Sequence, residues 1–412
     1  MYSFAISVYM VCVHIAAFFG HKNARKMVRG HLKVFQYLKE NIDENAQYLW
    51  FHAASLGEFE QGRPLMERYR REHPEYKILM TFFSPSGYEV RKNYEGADLI
   101  CYLPFDTLLH SHRFVKLVQP KKAFFIKYEF WRNYIEQLAK ANCEIYSVSS
   151  IFRPDQIFFR WYGFGYARCL KRFTHFFVQN QQSIKLLARI GVYQTTLVGD
   201  TRFDRVIDIK NAAKPLPLVE KFCENEKVLI VGSSWQPDED IIIPYFNTHP
   251  EMKLILAPHV VSKVHLREIA GKLERPAKLF SQAVKDNRVD DVDCLIIDCY
   301  GMLSSIYRYA YVAYVGGGFG VGIHNVPEAA VYSVPVIFGP NNKRFREAQA
   351  LLANGGAREI KSAEDFNTLM DEALKDPEGS KRVGLLAGSY ILGHAGATDK
   401  IYRIANGKKE EK

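Results

Sequence analysis

Short apolar runs alternate with amphipathic stretches along most of this 412-residue chain, and that alternation constrains the fold more than any other feature. Runs rich in β-branched and aromatic residues predict strands, and the stretches between them predict helices. Strands that alternate with helices over short connections pair in parallel, with helices on both faces of the sheet. The expected strands are residues 48–53, 77–83, 99–103, 123–127, 144–149, 173–178, 227–232, 252–257, 293–298, 310–315 and 334–339.

One interruption divides the pattern: Lys214-Pro215-Leu216-Pro217 has the composition of an interdomain connector. We therefore predict an N-terminal domain over residues 30–205, a linker over 206–226 and a C-terminal domain over 227–390, with a tail over 391–412. The predicted fold class is α/β, with two doubly wound domains facing each other across a cleft. Ligands of such sheets bind at the carboxyl ends of the strands.

The stretch 314–330 carries the strongest local signal for a ligand, because five glycines fall within seven residues after an expected strand. Glycine lets a backbone approach a ligand closely. Asn325 is a good N-cap and Pro327 suits a first helical turn, so a helix should begin here. A strand, a glycine loop and a helix N-terminus together predict an anion site. Glu328 repels phosphate but suits a ribose diol, which indicates a nucleotide; the alternative is a tight turn without a ligand.

Two glutamates follow expected strands in the first half. Gly57 marks a turn after the strand that ends near His52, and Glu58 then stands where the strand gives way to a helix. Glu129 occupies the equivalent place in Lys127-Tyr128-Glu129-Phe130-Trp131. A glutamate in a first helical turn is favoured by the helix dipole, which is the purely structural interpretation. The functional interpretation is a general base at Glu58 and a second carboxylate at Glu129, and spacing alone does not choose between the two.

The N-terminus predicts a membrane anchor. Residues 1–20 contain no Lys, Arg, Asp or Glu. A bilayer-spanning helix needs ~20 residues, so this uncharged stretch is long enough for one. Five basic residues follow within residues 22–33, and the first acidic residue of the chain is Glu40, so the rest of the chain should lie on the cytoplasmic side. We expect a single anchor over residues 1–21; a helix in the membrane interface and a buried core helix are the alternatives. The basic residues are Lys22, Arg25, Lys26, Arg29 and Lys33.

Composition narrows the class of partner. The net charge of +10 and the pI of about 9.0 favour an anionic partner, which can be a nucleic acid, a membrane surface or a phosphorylated substrate. Basic and aromatic residues alternate over 153–177, and beside an anchor this favours lipid over nucleic acid; the alternative is a long amphipathic helix that packs its aromatic side chains inward. The seven cysteines form no CxxC pair, so we expect neither a disulfide framework nor a zinc site.

Several motifs, taken together, resemble the 3-deoxy-D-manno-octulosonic acid (Kdo) transferases. They run in order along nearly the whole chain. The resemblance implies a GT-B fold of two Rossmann-like domains and an inverting, metal-independent glycosyltransferase without a cofactor. It implies transfer of Kdo from CMP-Kdo to a lipid A precursor, in lipopolysaccharide biosynthesis on the cytoplasmic face of the cell inner membrane. The motifs are residues 52–58, Glu129-Phe130-Trp131, residues 199–204, Gly316-Gly317-Gly318, residues 322–330 and Phe338-Gly339-Pro340.

The resemblance also implies roles for individual residues. Glu58 corresponds to the general base, and the nucleotide belongs on the second domain. The expected substrate-binding residues are Ser55, Gly57, Glu129, Pro258, His259, Gly301, Met302, Gly316, Gly317, Gly318, Asn325 and Glu328. Two positions depart from the family pattern: His259 stands where Arg is frequent, and Ser149-Ser150-Ile151-Phe152-Arg153 replaces a common Asn-Ala-Arg-Leu-Ser.

Two other functions fit the same residues. One is another GT-B transferase or an epimerase that uses a UDP-sugar. The other is a membrane-tethered protein that binds a nucleotide sugar without turnover. The expected partners are CMP-Kdo, the lipid A precursor and inner membrane lipids, and not nucleic acid.

Overall fold

Two parallel sheets of seven strands each form the cores of the chain within residues 2–407, the part that the computed structural model describes. The chain divides into two units. The first comprises the chain up to Arg205 and again from Ala395, and the second is Val206–His394. The doubly wound α/β class is confirmed.

The first unit has the strand order β3-β2-β1-β4-β5-β6-β7, with all pairs parallel. Its strands are β1 (Gln47–Ala53), β2 (Tyr76–Phe82), β3 (Leu99–Tyr102), β4 (Lys122–Ile126), β5 (Glu144–Ser150), β6 (His175–Val178) and β7 (Thr195–Leu197). Its helices are α1 (Tyr2–Phe18), α2 (Lys22–Asn41), α3 (Leu56–Glu72), α4 (Pro85–Arg91), α5 (Leu108–Val118), α6 (Arg132–Lys140), α7 (Phe164–Leu170) and α8 (Gln181–Arg189). Helix α9 (Thr201–Ala212) begins in this unit and ends in the second.

The second unit has the order β10-β11-β9-β8-β12-β13-β14, again all parallel. Its strands are β8 (Val228–Ser234), β9 (Lys253–Pro258), β10 (Ala277–Leu279), β11 (Cys294–Ile296), β12 (Val312–Val315), β13 (Val336–Phe338) and β14 (Ala357–Glu359). Its helices are α10 (Pro217–Cys223), α11 (Gln236–Thr248), α12 (Lys263–Lys272), α13 (Phe280–Asp286), α14 (Leu303–Ile306), α15 (Val326–Ala330), α16 (Arg346–Ala353), α17 (Ala363–Lys375) and α18 (Pro377–Gly393).

Strand β1 shows how the sequence builds a sheet that is covered on both faces. Alternate side chains of a strand point to opposite faces. Leu49 and Phe51 enter the hydrophobic cluster under α3, whereas Tyr48 and Trp50 enter the cluster on the other face. A strand that is buried on both faces reads as a continuous apolar run, which is why the central strands were visible in the sequence.

The prediction of a tail over residues 391–412 is wrong for residues 391–407, which are largely helical. Helix α18 continues to Gly393, and α19 (Ala397–Ala405) packs Ile401 and Tyr402 into the core of the first unit. Asp204 anchors the start of α19 by accepting hydrogen bonds from the backbone N–H groups of Gly396 and Thr398, at 2.5 and 2.7 Å. Residues 408–412 lie outside the described residues.

Two other segments differ from their predicted structure. The linker predicted over 206–226 is largely helical, because it contains the end of α9 and all of α10. The long amphipathic helix that was the alternative for 153–177 is absent from this described segment, which forms two short 3₁₀ turns, α7 and the start of β6. Phe158 and Phe159 pack against the core, whereas Trp161 is 91% exposed.

Helix α1 lies against the first unit. Val13 and Ala17 are buried against Met27 of α2 and against Phe105. The Tyr2 hydroxyl donates to Asp106 Oδ2 at 2.6 Å, so the first turn of the helix is tied to the unit as well.

Among residues 2–407, none of the helices taken singly has the length and apolar character needed to cross a bilayer. Helices α1 and α2 meet that requirement only as a pair bent by 119°.

Candidate active site

The two candidate glutamates meet because of the strand order of the first unit. Strand β1 lies between β2 and β4, and the chain reverses its direction of progress across the sheet between β1 and β4. Such a switch point leaves a crevice at the carboxyl ends of the two strands. Glu58 follows β1 and Glu129 follows β4. The topology therefore brings together two side chains that are 71 positions apart in the sequence.

Glu58 lies in the first turn of α3, with its carboxylate turned back toward the strand. Its Oε2 accepts the backbone N–H of Ala54 at 2.6 Å. Burial raises the pKa of Glu58 to about 7, and the charge of Glu129 acts in the same direction. The Ala54 N–H, Lys127 and the backbone of Ser55 oppose this rise. A carboxyl group with this pKa is half ionised near neutral pH, which is the condition a general base needs.

Ser55 and Gly57 flank this carboxylate. Ser55 occupies the N-cap position of α3 with extended backbone, although its hydroxyl does not cap the helix. Gly57 was expected to form a tight turn and instead lies inside the first turn of α3. A side chain at Gly57 would have no neighbour within 4 Å, so this glycine leaves open space beside Glu58.

Glu129 lies in a buried polar cluster. It is 9% exposed, and its Oε2 accepts the Trp131 indole N–H at 2.6 Å. The same oxygen lies 3.2 Å from Nε2 of His52, which is fully buried at the end of β1. His52 Nδ1 in turn contacts Thr81 of the neighbouring strand β2. Glu129 is thus held directly by Trp131 of its own segment and by His52 of β1, and His52 links the pair to β2.

Backbone strain marks the ends of several strands. Lys127, Ser149 and Ser233 have φ values of 62°, 55° and 54°, in the left-handed region that non-glycine residues rarely adopt. Lys127 follows β4 and precedes Glu129, and Ser233 precedes Trp235. Such strain is costly and clusters at functional sites, where surrounding contacts enforce it.

The second unit has its own switch point between β8 and β12. The glycine stretch follows β12, and Ser233-Ser234-Trp235 closes β8. A Cβ at Gly316 would lie 2.4 Å from the Ser233 carbonyl oxygen, and one at Gly318 would lie 2.5 Å from Gly339 Cα. Two of the glycines are therefore required because backbones of neighbouring loops pack directly against each other.

The backbone N–H groups of Gly316 and Gly317, in the loop where the sequence predicts an anion site, already have partners inside the unit. Gly316 N–H donates to the Gly232 carbonyl, and Gly317 N–H donates to Asp238 Oδ2, both at 2.9 Å. Asp238 is buried and also accepts the Trp235 N–H and the Tyr314 hydroxyl. Asp238 therefore holds the glycine loop against the start of α11.

Three rings stack beside this loop. His259 lies against Trp235 with ring centroids 4.8 Å apart, and against His324 with centroids 4.4 Å apart. Trp235 Nε1–H donates to His324 Nε2 at 3.1 Å. An indole N–H can only donate, so His324 Nε2 accepts and the neutral ring carries its proton on Nδ1. Burial, followed by the proximity of His259, lowers the pKa of His324 to about 4, so this ring is neutral at physiological pH.

Asn325 and Glu328 lie at the start of α15, as expected, but the cap differs. The Asn325 side chain does not accept from the helix backbone; its Nδ2 donates to Glu328 Oε1 at 2.6 Å. Helix α15 has only five residues, so its dipole is small. The anion site at this helix N-terminus stays a prediction, and the Asn325–Glu328 pair offers groups that can hydrogen-bond a diol.

The remaining expected residues lie at the same edge of the second sheet. Pro258 is buried at the end of β9, and His259 follows it at the surface. Gly301 and Met302 lie in the loop after β11, with Gly301 in the left-handed region at φ 91°. Tyr300 of this loop accepts the Val261 N–H at 3.2 Å, which links the loop to the segment after His259.

Sequence reasoning assigned no site role to His52, Trp131, Trp235, Asp238 or His324. Each stands at or just after the carboxyl end of a strand beside a switch point, or in the helix that follows. The sequence signal that could have identified them is the presence of aromatic and titratable residues at the ends of expected strands. The missing information was the spatial order of the strands, which decides which strand ends are neighbours.

Comparison with known proteins gives a consistent result. Residues 28–205 match the family model described as 3-deoxy-D-manno-octulosonic-acid transferase (kdotransferase). The 3-deoxy-D-manno-octulosonic acid transferase of Rickettsia bellii is 26% identical over 391 residues, covering 92% of this chain and 90% of that protein. The protein of the same name from Aquifex aeolicus is 26% identical over 345 residues, covering 82% and 88%. The one from Haemophilus influenzae is 24% identical, covering 86% of each chain.

Solved structures add information on the fold. The UDP-GlcNAc 2-epimerase from Neisseria meningitidis, bound to UDP-GlcNAc, superposes with a TM-score of 0.59 at 10% identity, covering 87% of this chain and all of that one. A UDP-N-acetylglucosamine 2-epimerase gives 0.57 at 13% identity, covering 89% and 99%. At such low identity the likeness shows the fold alone, which is of the GT-B kind that the motifs implied.

Proposed function

We propose that this chain, which belongs to the Kdo transferase family, moves Kdo from CMP-Kdo to a lipid A precursor in lipopolysaccharide biosynthesis. The observation that carries the proposal is the carboxyl group of Glu58. It stands at the switch point of the first sheet, and burial together with Glu129 raises its pKa to about 7. A group of that pKa can accept a proton from a sugar hydroxyl at neutral pH.

The proposed reaction is a direct displacement. Glu58 takes the proton of an acceptor hydroxyl while the hydroxyl oxygen attacks the anomeric carbon of Kdo. The bond from that carbon to the CMP phosphate oxygen breaks on the opposite face, and the anomeric configuration inverts. General-base assistance of this kind contributes about 10²–10⁴-fold to the rate.

We assign the donor nucleotide to the switch point of the second unit. The Asn325–Glu328 pair presents a carboxylate and an amide to the ribose hydroxyls. His324 carries its ring proton on Nδ1, because Nε2 accepts from Trp235, and so has one N–H to donate to an anion. Together with His259 this ring is our candidate contact for the CMP phosphate, in place of the occupied N–H groups of Gly316 and Gly317. Gly318, Pro258, Gly301 and Met302 lie at the same edge and are proposed to line the nucleotide.

The test is mass spectrometry of a lipid A precursor after incubation with CMP-Kdo and the detergent-extracted protein. We expect the precursor to gain the mass of one Kdo unit or more, and the number of units counts the additions. Glu58→Gln should abolish most of the transfer and retain CMP binding. Glu72→Gln, at the exposed far end of α3, is the matched control and should transfer normally.

Two outcomes would redirect the assignment. Competition by UDP in place of CMP would favour a UDP-sugar enzyme, a possibility raised by the fold likeness to UDP-GlcNAc 2-epimerases. CMP binding without any mass gain, in wild type and in Glu58→Gln alike, would favour a binding protein without turnover. Near-normal transfer by Glu58→Gln would remove Glu58 as the base.

We propose further that the first unit rests on the cytoplasmic face of the inner membrane through the outward face of α1. Phe18 and Phe19 are each 82% exposed, and Phe4 is 74% exposed. The ring of Tyr2 contacts Tyr166 of α7, so this face continues toward the exposed Phe164. Apolar rings beside basic residues suit an anionic lipid surface.

Flotation with vesicles of phosphatidylethanolamine and phosphatidylglycerol tests the membrane contact. The double variant Phe18→Ser/Phe19→Ser should lose most of its vesicle binding. Val264→Ser/Val284→Ser removes two exposed apolar residues of the second unit and should bind as wild type does. Equal flotation of both double variants would contradict the assignment to α1.

A further inference from the structure

A buried histidine next to Glu129 supplies an inference that rests on the proposed function and deepens it. His52 is fully buried at the end of β1, and Glu129 is 9% exposed. Nε2 of His52 lies 3.2 Å from Oε2 of Glu129. Because β1 pairs with β4, the two residues are neighbours across the same switch point as Glu58.

The hydrogen bonds of His52 locate one of its protons. Nδ1 lies 3.1 Å from the Thr81 carbonyl oxygen and 2.9 Å from the Thr81 hydroxyl. A carbonyl oxygen can only accept, and the Thr81 hydroxyl accepts the Trp50 indole N–H at 2.7 Å and donates its own proton to the Phe51 carbonyl oxygen at 3.5 Å. Nδ1 therefore carries a proton and donates it toward Thr81.

The other ring nitrogen then decides the charge of the pair. The Trp131 N–H is 2.6 Å from Glu129 Oε2 and 3.1 Å from His52 Nε2, so its single proton belongs to the closer, anionic acceptor. Without another proton, the lone pairs of Nε2 and Oε2 would face each other across 3.2 Å, which is a hydrogen-bond distance. A proton between His52 Nε2 and Glu129 Oε2 removes this repulsion, and the pair as a whole is then neutral.

We propose that His52 is a positioning residue for the transfer reaction: by sharing one proton with Glu129 it offsets the charge of that carboxylate and allows Glu58 to ionise. The charged groups that face Glu58 are Glu129 and Lys127 from the loop after β4, with backbone N–H groups from Ala54 and Ser55. Around the His52–Glu129 pair lie Thr81 from β2 and Trp131 at the start of α6. The single positive charge of Lys127 would offset the negative charge of either Glu58 or Glu129, but not of both.

The test compares pH–rate profiles of Kdo transfer for His52→Gln and Glu129→Gln. Glutamine at position 52 has no titratable proton to share, so the full charge of Glu129 should oppose ionisation of Glu58. The acid limb of kcat/KM should move to higher pH. Glu129→Gln removes the charge itself, so the limb should move to lower pH. A displacement of one pH unit gives about a tenfold change in rate on that limb.

Opposite displacements support the proposal, and the double variant should follow Glu129→Gln because His52 acts through Glu129. An unchanged limb in His52→Gln, or a displacement in the same direction as in Glu129→Gln, would overturn it. The position of the limb is independent of the absolute rate, so a general loss of activity does not imitate the result.

A second readout needs no turnover. The infrared band of the protonated Glu58 carboxyl, identified by its absence in Glu58→Gln, can be titrated in wild type and in both variants. The midpoint of this titration should move to higher pH in His52→Gln and to lower pH in Glu129→Gln. Displacement of both midpoints in the same direction would overturn the proposal. If wild type transfers no Kdo at any pH while the infrared displacements hold, the proposed function fails and the charge relation among the three residues stands.

Discussion

At the scale of the residue, Glu58 occupies a position that favours the protonated form of a carboxyl group. Its pKa is raised from 4.5 to about 7, first by burial and second by Glu129. Between these two pH values the folded protein holds a proton that the unfolded chain has already released. Stability contributed by this group therefore falls as pH rises through that window. The raised pKa that suits the proposed base therefore lowers the stability of the folded protein above pH 7.

We predict that Glu58→Gln stabilises the first unit at alkaline pH and leaves its stability unchanged near pH 4, below both pKa values. The difference should be on the order of 3 kcal/mol at most, since each pKa unit corresponds to about 1.4 kcal/mol. Denaturant unfolding at several pH values measures it, with Glu95→Gln, at an exposed position of the first unit, as the control. A variant that is no more stable than wild type at pH above 8 would contradict the burial argument.

Trp235 gives a second prediction at this scale. Trp235→Phe keeps an aromatic ring for His259 and removes the N–H that fixes the tautomer of His324. CMP affinity should fall about 2- to 10-fold, the range for loss of one neutral hydrogen bond. Calorimetry with CMP measures the change. Trp161→Phe, at a site that is 91% exposed in the first unit, should bind CMP normally, and equal affinities in all three proteins would refute the role of Trp235.

At the scale of the element, the glycine stretch after β12 shows two different uses of the same residue. Gly316 and Gly318 allow backbones to touch, and Gly317 allows a left-handed turn at φ 92°. Gly320, in contrast, has nothing within 4 Å of where a Cβ would stand. A glycine cluster therefore indicates close packing of strand-end loops before it indicates a phosphate.

We predict that Gly318→Ala destabilises the second unit by about 1–3 kcal/mol, since the new methyl group meets the Gly339 backbone. CMP binding should weaken with it, because the loop must move. Gly320→Ala should have little effect on either quantity. Thermal unfolding and CMP calorimetry of the two variants decide the point. Equal behaviour of both variants would show that the close approach of Gly318 to Gly339 does not constrain the loop.

The three strands that went unrecognised, β7, β10 and β14, are instructive at the same scale. Each has three residues and lies at an edge of its sheet. Their sequences, Thr-Thr-Leu, Ala-Lys-Leu and Ala-Arg-Glu, lack the continuous apolar run of a central strand. Edge strands need not be buried on both sides, so hydrophobic pattern alone does not reveal them.

At the scale of the whole molecule, the chain leaves the first unit after Arg205 and returns to it at Ala395. Helix α19 then completes the first core, with Ile401 at 0% exposure. Lys122 of β4 bonds the carbonyl of Ala405 at the end of this helix. The stability of the N-terminal unit therefore depends on residues near the other end of the sequence.

We predict that Ile401→Ala lowers the unfolding temperature of the first unit only, at a cost of about 2–5 kcal/mol. CMP should raise the unfolding temperature of the second unit, where we place its site. Differential scanning calorimetry with and without CMP separates the two effects. Lys400→Ala, at an exposed neighbouring position, is the control. A loss confined to the CMP-sensitive transition would contradict the assignment of α19 to the first unit.

The sequence by itself determined the fold class and the central strands, because burial on both faces demands continuous apolar runs of strand length. It also located Glu58, Glu129 and the glycine stretch at strand ends, since each stands directly after such a run. The motif resemblance supplied the family and the substrate class, because a set of short motifs in a fixed order is far more specific than any one of them.

Only the tertiary structure decided which of these strand ends are neighbours, because strand order in a parallel sheet is independent of order along the chain. That order pairs Glu58 with Glu129 and His52, and places Trp235 beside His324. It also decided that the N–H groups of Gly316 and Gly317 are already bonded, and that α19 belongs to the first core. Hydrogen-bond partners and packing partners come from distant segments of the chain, so a local sequence pattern cannot predict them.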